Sequence, residues 1–276
     1  MCDLDGCGAH NDLPPIVIRE TDRRAFLIGA ASLPLAAILF DPELAAASAA
    51  RTEAVRFPAA GGAAEAGGFL AVPETTPAGA LVLIHEWWGL NDQIKAVAQA
   101  FADAGYLALA VDLYGGKVAG TADEATALVQ GLDPAAATAT LAGAIEWLRG
   151  HEKGNGKVGT VGWCFGGGWS LNASIAAPVD ATVIYYGAVT RKADELARLN
   201  GPVLGHFGTL DKRINKEMVS GFEAEMAKAG KADRLTVNWY EADHAFANPT
   251  GARYDAEDAK LAWERTLDFL KGTLSV

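Results

Sequence analysis

The sequence predicts an α/β fold in which a mostly parallel, doubly wound sheet is flanked by helices. Six apolar runs rich in branched residues recur from residue 80 onward, near-continuous rather than alternating, and helical patterns separate them. Strands buried on both faces read as such runs, and parallel neighbours need crossovers that helices supply. The chain has 276 residues and is 50% hydrophobic, enough for one large core.

The elements follow in order. Runs at 52–57 and 68–72 predict an antiparallel hairpin at one edge of the sheet. Strands are predicted at 80–85, 107–111, 157–163, 181–186, 202–208 and 235–241, with helices at 92–104, 121–130, 135–150, 165–176, 214–229 and 256–271. The alanine-rich stretch at 134–139 belongs to a helix, because alanine is the best helix former and Leu141, Ile145 and Leu148 follow at helical spacing. Gly61-Gly62-Ala63-Ala64 and Ala78-Gly79 read as turns. No stretch is long and polar enough to divide residues 51–276, which are expected to form one domain.

The first fifty residues differ from the rest. Arg23-Arg24 leads into an apolar run from Phe26 to Phe40, and small residues follow from Ala45 to Ala50. That order predicts a twin-arginine export signal, residues 1–47, cut between 47 and 50. The run is shorter than the roughly 20 residues a spanning helix needs, and Pro34 interrupts it. The expected location is therefore periplasmic or secreted, with the export machinery as a partner and no membrane association after cleavage. Cys2 and Cys7 would leave with the signal, so Cys164 would be the only thiol of the mature chain.

The formal net charge is −11, and no run of Lys or Arg offsets it. Such a surface repels nucleic acid and anionic lipid, which leaves a small molecule as the expected partner.

Ligands of open α/β sheets bind beyond the carboxyl ends of the strands, so residues just after each run carry the information. Four stand out: Glu86, Cys164, Asp211 and His244. Cys164 sits in Gly162-Trp163-Cys164-Phe165-Gly166, between a strand and a helix. The glycines allow the tight turn that the nucleophile elbow of α/β-hydrolases requires, and the helix N-terminus favours a thiolate. Nucleophile, acid and histidine at the ends of successive late strands give the chain order of a hydrolase triad. His206, inside an apolar run, His151, at a helix end, and His10 are weaker candidates. His85 and Glu86 are neighbours on a strand and face opposite ways, so they do not jointly hold a metal.

Together, His-Glu-Trp-Trp-Gly at 85–89, Gly-Trp-Cys-Phe-Gly-Gly at 162–167, Asp211 in Gly-Thr-Leu-Asp and His244 in Asp-His-Ala-Phe resemble the dienelactone hydrolases, a cysteine branch of the α/β-hydrolase superfamily. The resemblance spans about residues 52–274 and implies the α/β-hydrolase fold. It implies that Cys164 is the nucleophile, that His244 is a general base held by Asp211, and that Glu86 helps to form the thiolate. It also implies an oxyanion hole from the backbone N–H groups of Trp87 and Phe165. Trp88, Tyr114, Trp163 and Lys117 are expected in the substrate pocket. The implied activity is hydrolysis of a lactone or small ester through a thioester, by a monomer without metal or cofactor. A one-cysteine redox sensor or peroxidase and an inert binding module are the competing readings. The chain departs from the family where two arginines would grip a substrate carboxylate: Gly115-Gly116-Lys117 follows Asp112-Leu113-Tyr114, and Asn248 stands four residues beyond His244. Neutral lactones or esters are therefore expected to be preferred over carboxylated dienelactone.

Overall fold

The computed structural model describes residues 16–29, 32–62 and 64–275; Cys2, Cys7 and His10 lie outside them. Eight strands form one sheet: β1 Glu53–Pro58, β2 Glu65–Ala71, β3 Ala78–Ile84, β4 Leu107–Val111, β5 Gly154–Trp163, β6 Ala181–Tyr185, β7 Val203–Gly208 and β8 Leu235–Tyr240. Their order is β1-β2-β4-β3-β5-β6-β7-β8. β1 and β2 pair antiparallel and attach to β4 antiparallel, and the remaining pairs are parallel. This is the expected sheet, with the hairpin at its edge. The expected helices are present as α4 Asp92–Asp103, α5 Ala122–Gly131, α6 Pro134–Arg149, α7 Phe165–Ala176, α9 Lys216–Lys228 and α10 Ala256–Leu274. A short helix, α8 Ala193–Leu196, was not legible in the sequence.

Residues ahead of the sheet form α1 Glu20–Leu27, α2 Leu35–Phe40 and α3 Pro42–Ala49. Asp41 caps α3 by accepting from the Glu43 and Leu44 N–H groups. Leu39, Leu44, Ala45 and Ala49 are buried, with α2 and α3 packed on α4. Arg23 bonds Asp41 (2.9 Å) and Glu43, and Arg24 bonds Glu20 (2.7 Å). These helices were not expected from the export-signal pattern, which contains no information on tertiary contacts.

Two buried polar networks join the layers. Thr160 on β5 bonds Ser170 (2.8 Å) and Ser174 (2.9 Å) on α7, and Ser170 donates to the Val183 carbonyl of β6. These bonds fix α7 against the strands that precede and follow it. The second network runs from Tyr240 through His206 to Thr266 and Tyr185. His206 contacts the Tyr240 hydroxyl at 2.8 Å and the Thr266 hydroxyl at 3.0 Å, and Thr266 meets the Tyr185 hydroxyl at 2.6 Å. His206 is thus a structural strand residue that joins β7, β8 and α10. Burial, helped by the charge of Arg265, pushes its pKa from 6.5 down to about 3.

That shift fixes a pH dependence. Between about pH 6.5 and 3 the unfolded chain holds a proton on His206 that the folded chain rejects, so stability falls as pH drops through this window. Between pH 7.5 and 5 the wild type should lose about 2 kcal/mol more than His206→Gln, read from urea unfolding. Parallel pH curves for the two proteins would show that His206 does not titrate in this way.

Candidate active site

The site forms at the carboxyl end of the sheet around the β5–α7 turn. Cys164 occupies that turn with φ 55° and ψ −115°, a conformation that non-glycine residues rarely adopt. Close backbone approach enforces it. A Cβ on Gly162 would strike the Gly166 carbonyl, one on Gly166 would strike Ile84 O, and one on Gly167 would lie 2.7 Å from Tyr185 O. The Cys164 N–H donates to the Tyr185 carbonyl at 3.0 Å, which ties the turn to β6.

Three strand ends converge on the thiol. Asp211 follows β7, and its Oδ1 accepts from the Arg213 and Ile214 N–H groups at 2.8 and 3.0 Å. Its Oδ2 accepts from His244 Nδ1 at 2.6 Å. With Nδ1 donating, Nε2 carries the lone pair, and Nε2 lies 3.1 Å from Cys164 Sγ. Burial raises the Asp211 carboxyl, but the bond to His244, the attraction of that ring when it is protonated and the two backbone donors outweigh this, so its pKa falls below the ordinary value. Tyr186 packs its ring edge-on to the imidazole at 5.3 Å and limits its rotation.

The turn after β3 brings Glu86 and Trp87. His85 is wholly buried beneath it: Nδ1 donates to the Glu86 carbonyl at 2.6 Å, and Nε2 accepts from the Leu113 N–H at 3.3 Å. Burial lowers its pKa to about 4, so the neutral tautomer persists and clamps the ends of β3 and β4 together. The N–H groups of Trp87 and Phe165 have no acceptor among the described residues, and both residues line a cavity with Cys164 and His244. The Glu86 carboxylate is held by Asn248, whose Nδ2 donates to Oε2 at 2.7 Å. Asn248 in turn accepts from Thr250 at 2.8 Å, and Gln93 donates to both Thr250 and the Leu39 carbonyl at 3.0 Å. Position 248, where the expected pattern lacks its arginine, thus carries a neutral amide bonded to Glu86.

The cavity measures about 640 Å³. Its floor is α7, through Phe165, Gly168, Trp169 and Asn172, and Val129, Met218, Arg191 and Arg213 complete its walls. The four expected pocket residues are not part of this lining. Trp163 and Cys164 are successive residues, as are Trp87 and Trp88, yet only Cys164 and Trp87 of these pairs line the cavity. Trp163 and Trp88 line a separate crevice beside Glu86. Tyr114 is buried behind Phe165 and His85, with ring centroids 5.8 and 4.8 Å away. Lys117 is exposed on the turn that Asp112 closes through the Tyr114 and Gly116 N–H groups. Sequence reading missed Arg191, Asn172 and Met218, because no motif surrounds them. One signal was present: Arg191 follows β6 at the carboxyl end of the sheet, where ligands of such folds bind.

Comparison with known proteins shows what the whole chain is similar to. Residues 66–274 match the Dienelactone hydrolase family. A carboxymethylenebutenolidase of Pseudomonas putida is 32% identical over 219 residues, covering 74% of this chain and 90% of that protein. Another, from Cupriavidus pinatubonensis, is 28% identical over 74% of this chain and 90% of its own length. Among solved structures, a dienelactone hydrolase-like promiscuous phosphotriesterase from metagenomic libraries superposes with a TM-score of 0.72. It is 25% identical and is covered in full by 82% of this chain.

The elbow's dependence on bare backbone is open to test. Gly166→Ala should lower the unfolding free energy by about 3 kcal/mol, because the added methyl meets the carbonyl of a central strand rather than a side chain that can move. The fall in urea midpoint reads this; a midpoint within error of wild type would contradict the packing described.

Proposed function

Because the chain belongs to the dienelactone hydrolase family and is a hydrolase of that kind, we propose that it cleaves a lactone or small carboxylic ester through a thioester on Cys164. One observation carries the reading: a single imidazole bridges the thiol and a buried carboxylate, with Nε2 3.1 Å from Sγ and Nδ1 2.6 Å from Asp211. His244 Nε2 takes the thiol proton as sulfur attacks the acyl carbon, and Asp211 keeps that nitrogen available and balances the imidazolium. The carbonyl oxygen becomes an oxyanion that accepts from the Trp87 and Phe165 N–H groups, a contribution of roughly 3 kcal/mol per donor in comparable sites. Collapse breaks the ester C–O bond, and His244 returns the proton to the departing oxygen. Water, deprotonated by His244, then attacks the thioester carbon and expels the thiolate. In this reading the Glu86 carboxylate assists His244 in forming the thiolate; its Oε2 accepts from Asn248.

The test is chemical. A 4-nitrophenyl ester mixed with excess enzyme should leave one acyl group on Cys164, identified by mass spectrometry of the quenched protein. Asp211→Asn should lower kcat/KM by roughly a thousandfold or more, through the wrong tautomer of His244. Turnover that survives in Cys164→Ala would overturn the mechanism.

The twin-arginine reading belongs to the same proposal: Arg23-Arg24 and the apolar stretch after them direct the chain to the periplasm, where it acts as a monomer. Arg23→Lys with Arg24→Lys should hold the precursor in the cytoplasm, scored by fractionation and immunoblotting. A processed, periplasmic Lys-Lys protein would refute this route.

A further inference from the structure

The cavity is longer than attack on a small ring requires, and its far end carries a cation. Cys164, Gly168 and Asn172 recur every fourth residue and so lie along one stripe of α7. Asn172 is about 12 Å from Cys164 along the helix axis, at 1.5 Å per residue. Gly168 contributes no side chain between them, which leaves the floor open. Phe165, Trp169, Val129 and Met218 make the intervening wall apolar.

Arg191 meets this stripe at Asn172. Its Nε and Nη2 donate to Asn172 Oδ1 at 3.1 and 2.6 Å, and its Nη1 donates to the Thr190 carbonyl at 2.6 Å. These bonds occupy three of the five guanidinium donors and fix the orientation of the fork. Among the described residues no carboxylate stands within ion-pair distance of Arg191. Glu195, whose charge acts on it, is engaged by the Lys192 N–H at 3.0 Å. Partial burial pushes the guanidinium below its ordinary pKa, and Glu195 pushes it back up. A half-buried cation held by a neutral amide, at the wall of a cavity in an acidic protein, is a site for an anion brought by the ligand.

We propose that Arg191 is an anion subsite of this cavity, and that the substrate carries a carboxylate at the end of an apolar chain that reaches from the ester at Cys164 to Asn172. The proposal rests on the reading of Cys164 as nucleophile for the position of the ester, but the anion subsite itself is tested without turnover. A compact carboxylated lactone places its charge too near the thiol to reach this fork, so the anion-binding arginine at 191 selects a charge carried at the far end of the ligand.

Suberanilic acid, an uncleaved anilide with the required reach, and its methyl ester serve as probes in isothermal titration calorimetry. The acid should bind the wild type at least tenfold more tightly than the ester, and the difference should shrink with added salt. Arg191→Gln should bring the two affinities together. Arg191→Lys, which keeps the charge and loses the fork, should fall between, and it decides the matter should the glutamine variant not fold. Succinanilic acid is too short and should show no preference over its methyl ester. Equal affinities of the suberic pair for the wild type would overturn the proposal. So would a preference that persists undiminished in the Arg191 variants, or an equal preference for the short acid. Failure of the thioester mechanism would appear elsewhere, as ester turnover in Cys164→Ala while the binding pattern remains intact.

Discussion

The contact between the first turn of α7 and the backbone of the sheet is the constraint on which the rest depends. Gly162, Gly166 and Gly167 bring main chain against main chain, with Ile84 of β3 and the Tyr185 carbonyl at the end of β6 among the opposing atoms. No side chain fits at these points, so the helix approaches until its N-terminal turn caps the strand ends. Thr160, Ser170 and Ser174 then fix the helix by hydrogen bonds that the apolar core does not supply. Together these contacts hold Cys164 at a positive φ, an arrangement that a less constrained turn would relax. The strain places sulfur at the mouth of the cavity and the Phe165 N–H beside it.

The charges around the thiol are arranged by burial as much as by pairing. Asp211 stays ionised because its neighbours outweigh its burial, whereas burial prevails at His206 and, over the opposing Glu86 carbonyl and Asp112 charge, at His85, so both stay neutral. Of the buried histidines among the described residues, only His244 has a carboxylate on one side and a thiol on the other. Position in the sheet separates the three: His85 and His206 face packed layers, whereas His244 lies past the end of β8, where the cavity opens.

Much of this was legible in the sequence, for a physical reason. Strands buried on both faces must be apolar throughout, so β4 could be read to the residue and the other sheet strands nearly so. Residues that follow such strands have few structural duties, which is why Glu86, Cys164, Asp211 and His244 could be singled out. The lining was not legible. Adjacent aromatic residues such as Trp87 and Trp88, whose rings touch, still line different pockets, and composition does not say which. Arg191 and Asn172 meet across a gap of 19 positions through a bond that no local pattern encodes. Residues 20–49 were read for apolarity alone, a property that a buried helix and an export core share.

The docking of α3 has a consequence for proteolysis. A peptidase threads its substrate through its active site as an extended strand, yet Ala45, Ser48 and Ala49 lie in a capped helix with their side chains against the domain. Cleavage between Ala47 and Ala50, if the proposed export signal is processed there, would require α3 to lift from α4 and unwind. The frequency of that local opening would then set its rate, and small residues at the scissile position would not suffice. An opening that spread to α2, just ahead of α3, would also withdraw the Leu39 carbonyl from Gln93, the outermost link of the hydrogen-bonded chain that ends at Glu86.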